Sequence, residues 1–196
     1  VVDEIIQAKQ AVDLARATNL FGLRVPIAGM ANIDVDVERT KLGRKGHVDV
    51  EVARARVLVV DGLSARVSAV FEDDHVEASG YVRLVDEASP EERAAASEGR
   101  LDAVPLCDGT IAEVRLDRVN AKTEGARLRA STWMNAVGTA EISAEHWSLY
   151  CVARRVPFVL PLSEVRGTVG ARVRLHRDRG DPLPTLDSVY VRTHDL

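Results

Sequence analysis

A chain of 196 residues with 46% hydrophobic and 29% charged content has the composition of a folded globule, one large enough to bury about 70% of its unfolded surface. No apolar run approaches the roughly 20 residues of a membrane-spanning helix. A net charge of −4, from 26 basic and 30 acidic residues, gives no global attraction to polyanions, so no nucleic-acid partner is expected.

One domain over 1–196 is the expectation from length. The acidic pair Asp3-Glu4 stands where a secretion signal would carry a basic region, which leans the expectation towards the cytoplasm. Two cysteines, Cys107 and Cys151, are too few for a four-ligand metal centre. No metal or cofactor is expected, and two buried thiols are favoured over one disulfide.

Residues 1–20 read as a helix: Val2, Ile5, Ile6, Val12 and Ala15 recur at roughly helical spacing, with Asn19 and Gly22 as stop signals. From Val25 the period changes to two. Ile33, Val35 and Val37 alternate with Asp34, Asp36 and Glu38; beyond a turn-rich segment, Val48, Val50 and Val52 alternate with Asp49 and Glu51. Such alternation marks strands with one apolar face. The apolar parity then switches to Ala55 and Val57, which predicts a β-bulge near Val52-Ala53. A three-residue turn Val60-Asp61-Gly62 would pair Val59 with Leu63, Val57 with Ala65 and Ala55 with Val67, keeping one face apolar.

Beyond Glu72-Asp73-Asp74-His75, the residues Val76, Ala78, Val82 and Leu84 alternate, with Gly80 marking a bend or bulge. Ser89-Pro90-Glu91-Glu92 supplies an N-cap, a proline at the first helical position and a glutamate at N3, and Gly99 an exit: a short helix over 89–99. Strands resume with Val114 and Leu116, then Ala126, Leu128 and Ala130. Later strands carry Trp147, Leu149 and Cys151 opposite His146, Ser148 and Tyr150, then Val165 to Leu175, then Ser188 to Arg192. The expected fold is therefore mainly β: an antiparallel β-sandwich or barrel of roughly nine to eleven strands, with an N-terminal helix and one short connecting helix.

Four groups could carry chemistry. Asp34, Asp36, Glu38, Asp49 and Glu51 share one face, yet a flat strand face offers no encircling loop for a cation, so a solvated or arginine-neutralised surface is expected. Glu72-Asp73-Asp74-His75 could orient a general base, but it is also what a hairpin turn needs. Arginine stripes (Arg127, Arg129; Arg166, Arg172, Arg174) read as charged outer faces, since aromatics for nucleic-acid stacking are only 4%. The ligand-binding candidates are His146, Ser148 and Tyr150, sharing one strand face, with Trp133 lining the same cavity. Three functions follow: binding of a small or lipid-like apolar ligand, a cofactor-independent isomerase or cyclase, and a structural subunit in a homo-oligomer.

Overall fold

A computed structural model describes residues 2–16, 26–40, 43–99, 106–123, 136–156, 166–181 and 183–194. Among these residues nine strands follow one another: β1 (Val2–Asp13), β2 (Ile27–Thr40), β3 (Gly43–Val57), β4 (Val60–Glu72), β5 (His75–Asp86), β6 (Gly109–Lys122), β7 (Val137–Ser148), β8 (Thr168–Arg177) and β9 (Thr185–His194). Two helices among the described residues interrupt them: α1 (Pro90–Ser97) before β6 and α2 (Leu149–Arg155) before β8. The strands form one sheet in chain order, every neighbouring pair antiparallel, and the sheet does not close on itself.

The register explains why one sheet forms. Val12, Ala31, Val52, Ala65, Val82, Val114, Ala144, Ala171 and Val191 are successive cross-strand partners, an apolar row reaching from β1 to β9. A second row joins Ala8, Val35, Val48, Ala69, Ala78, Val119, Ala140, Leu175 and Leu186 in the same way. Between them lies Ile33, Val50, Val67, Gly80, Leu116, Ile142, Val173 and Val189. On the opposite face the partners are polar, as in the row Asn32, Glu51, Arg66, Tyr81, Arg115, Ser143 and Arg172. Side chains alternate with period two, so this one-sidedness holds only if no interface slips by a single residue.

The helix expected over 1–20 is replaced by a strand. Residues 2–13 pair with β2 along their length, setting Ile6 on Val37, Ala8 on Val35 and Val12 on Ala31; residues 14–16 are helical, and 17–20 of the expected helix lie outside the described residues. An eleven-pair ladder satisfies the backbone and places Lys9 beside Asp34, 3.3 Å away, which a weak helical stripe cannot match. The helix at Pro90–Ser97 is as expected, with Ser89 and Glu92 forming a reciprocal capping box.

The bulge near Val52 is present, with Arg54 at φ +51°. The turn that follows is not the expected one. Val57 pairs with Val60 across a two-residue turn, Leu58-Val59, and Ala55 pairs with Leu63. Asp61 and Gly62 belong to β4. Asp61 forms an ion pair with Arg56, and a Cβ on Gly62 (φ +84°) would sit 2.4 Å from the Val85 carbonyl. The glycine thus serves a close strand approach, and Leu58 takes the left-handed turn position at φ +57°. Substitution separates the two roles. Gly62→Ala is expected to cost about 1–3 kcal/mol in urea unfolding, whereas Leu58→Gly leaves stability unchanged or higher. Equal losses would contradict this register.

Candidate functional site

Among the described residues, substantial burial concentrates at one end of the sheet. Leu84, Ala112, Ile111, Cys107, Cys151 and Val152 form the buried cluster, with Val60, Leu63, Trp147, Tyr150 and Val156 packed around it. β7 ends here because Ser148 caps α2, its hydroxyl accepting from the Cys151 amide. The Trp147 ring is fixed by its indole N–H donating to the Glu113 carbonyl at 3.0 Å.

The expected pair of thiols is corrected: Cys107 and Cys151 form a disulfide, both sulfurs lying within this cluster and their residues 4% and 2% exposed. The link ties the segment before β6 to α2. A network of ion pairs frames it. Arg155 bonds the buried Asp86 at 2.9 Å, Arg154 reaches Glu92 at 2.9 Å, and Arg93 makes two bonds to Asp108, which also accepts from the Ala88 amide. Together α1, the 106–108 segment and α2 form a stapled cap over one end of the sheet.

Away from the cap, the apolar face is exposed in places and buried in others: Ala31, Val76 and Ala121 are 2, 2 and 8% exposed. Val67, Val82, Val189 and Val191 are 40, 47, 54 and 57% exposed, although each stands in an apolar row. Strands make their contacts with ladder neighbours, and no second sheet covers them among the described residues. Nine strands at about 4.8 Å and rows about 7 Å apart make this face roughly 40 Å by 20 Å.

Of the sequence-derived site residues, the structure describes the side chains of Ser148 and Tyr150. Ser148 is a helix cap and Tyr150 packs on the buried cluster from α2. The strand alternation expected through Cys151 stops at Ser148, so Tyr150 does not continue a strand face. The backbone of His146 lies in β7, while its side chain, together with Trp133, the 126–130 strand and Val165, falls outside the described residues.

The polar face is internally compensated. Lys9 pairs with Asp34, Lys45 with Glu38 at 3.0 Å, and Gln7 donates to Asp36 at 2.9 Å. Glu141 lies between Arg172 and Arg174 at 3.6 and 3.4 Å. Arg54 pairs with Glu87 and Arg56 with Asp61, outside the acidic group on β2 and β3. In the β4–β5 turn Asp73 accepts from the Arg44 amide and Asp74 pairs with Lys122 at 2.9 Å, which gives both carboxylates structural work. A shallow concavity of about 530 Å³ is lined by Asp36, Glu38, Lys45, His47, Asp49, Ser68 and Glu72. No cluster of three metal-ligating side chains occurs among the described residues, and no described helix is long and apolar enough to cross a membrane.

Comparisons with family models, with characterised proteins and with solved structures gave no match.

The cap has two measurable consequences. Its disulfide closes a 44-residue separation, so reduction is expected to remove about 4 kcal/mol of stability, read as a lower denaturation midpoint; an unchanged midpoint would show the staple to be idle. The Asp108 carboxyl is held below its usual range by the Arg93 guanidinium and then by the Ala88 amide; that of Glu92 by the Ser89 amide and then by Arg154. A depressed carboxyl stabilises the fold above the ordinary carboxylate range and loses that contribution as pH falls through the lowered value. Stability is therefore expected to drop on the acid side, and Asp108→Asn to flatten that slope; an identical slope would remove Asp108 from the account.

Proposed function

We propose that the chain binds elongated aliphatic ligands, the acyl chains of lipids, along the open apolar face of its sheet. The observation that carries this reading is the set of cross-strand rows, apolar from β2 to β9, along which Val67, Val82, Leu186, Val189 and Val191 are exposed.

The chemistry of the rows selects the ligand class. They are built from Val, Ala, Ile, Leu and Gly, without the aromatic faces that recognise flat or cationic ligands. A polymethylene chain fits such a surface because its contacts are non-directional and need no hydrogen-bond partner. At about 0.8 kcal/mol per buried methylene, a ten-carbon stretch supplies about 8 kcal/mol before the costs of association. The cap blocks one end of the strands, which leaves the remaining length of the face for the ligand. Closure into a barrel or sandwich would turn this face into a lined interior and serves the same chemistry.

An isomerase or cyclase would need an acid or base placed against the bound substrate. Ser148 and Tyr150 are occupied with capping and packing, so binding is the better-supported role.

The test is uptake of a fluorescent fatty acid by the disulfide-intact chain. Val50→Asp and Val82→Asp place a carboxylate within the rows and are expected to weaken binding at least tenfold, about 1.4 kcal/mol or more. Ser68→Asp, on the opposite face, is expected to leave it unchanged. Equal effects on the two faces, or no uptake by the unsubstituted chain, would reject the proposal.

A further inference from the structure

We propose that the outer edge of β9 pairs with β9 of a second copy of this chain, antiparallel about a two-fold axis normal to the sheet. The inference concerns the edge and does not depend on what the apolar face binds.

Three observations carry it. First, β9 is an edge strand with every residue exposed, and among the described residues no strand lies on its outer side. Its stretch from Ser188 to His194 runs in unbroken register with β8, without proline, lysine or a bulge. Proteins that keep such an edge unpaired blunt it with those devices, because a regular edge of Val, Tyr and Thr is a template for another strand. The other edge is different: β1 carries Lys9 near its centre.

Second, the β9 sequence is self-complementary. With Tyr190 on the axis, an antiparallel pair sets Val189 on the partner's Val191, Ser188 on the partner's Arg192, and the two tyrosines on each other. From Ser188 to Arg192 every pair keeps apolar with apolar and polar with polar, and aromatic and β-branched cross-strand pairs are the stabilising kind. β1 lacks this property. Centred on Lys9 it opposes two ammonium groups, and centred on Ala8 it sets Ile6 against Gln10.

Third, the symmetry preserves the faces. A two-fold axis normal to a sheet reverses strand direction, as antiparallel pairing requires, and leaves each face on its own side. Val189 and Val191, 54 and 57% exposed in one chain, would then continue the apolar rows into the second copy. Such an interface is isologous and closed, so it stops at two chains.

Sedimentation equilibrium across the micromolar range tests the proposal. The unsubstituted chain is expected at twice its 21.4 kDa, and Tyr190→Lys, which opposes two ammonium groups on the axis, at the single-chain mass. Tyr190→Cys is expected to form a covalent dimer on mild aerobic oxidation, while Arg192→Cys, facing Ser188 of the other copy, forms little. A single-chain mass for the unsubstituted protein would overturn the proposal, as would a dimer that survives Tyr190→Lys or equal cross-linking at both positions. Fatty-acid uptake measured on the same samples reads the ligand proposal separately, since failure of either leaves the other standing.

Discussion

Cross-strand register is the constraint on which the rest of the molecule depends. The two faces of the sheet differ only because eight consecutive interfaces agree on which residues lie together. A slip of one residue at any of them would carry a charged row onto the apolar side for every strand beyond it. Several interfaces contain irregularities, and each returns the chain to the same parity. Between Val52 and Ala55 the extra residue on β3 brings Ala55 opposite Leu63, and between Ala144 and Trp147 one on β7 brings Trp147 opposite Val169. A bulge gives up ladder hydrogen bonds locally and twists the sheet. Here it also corrects the pattern.

A single sheet with one open apolar face cannot be stabilised as a two-layer domain is. Its fully buried apolar residues are few and cluster mostly under the cap. This gives the disulfide its purpose: α2 is only seven residues long and makes few contacts with β6 and β7, too short to hold its place through intrinsic helix stability. The covalent link and the Arg155–Asp86 bond tie it to two different segments. Exposed pairs such as Arg154–Glu92 add orientation more than energy. The covalent and ionic ties are thus concentrated at one end, and the apolar rows beyond them are the surface to which we assign binding.

Much of the sheet was legible as alternation. Ile33 to Val37, Val48 to Val52, Val76 to Leu84 and Val169 to Leu175 each announce a strand, and Ser89 to Glu92 a helix start. Ala140, Ile142 and Ala144 alternate with Glu141, Ser143 and Glu145 and mark the body of β7. The first strand was misread because Ile5 and Ile6 are adjacent, which suits a helical stripe as well as a strand whose two faces both carry an isoleucine. The turn after Val57 was misread because Asp-Gly is ordinarily a turn signal, whereas here the glycine is required by the backbone of Val85. The disulfide and the cap were not legible, since nothing local in the chain brings Cys107 and Cys151 together. Only the fold of the intervening strands does.

Carbene footprinting of the ligand-free and fatty-acid-bound chain tests the central claim most directly, because a diazirine probe labels any accessible C–H bond. Heavy labelling is expected at Val50, Val67, Val82 and Val173 in the free chain and strong protection there on binding, with Ser68, Arg66 and Arg172 labelled equally in both states. Labelling that is weak on the valine rows of the free chain, or protection confined to the charged face, would contradict an open apolar face as the site.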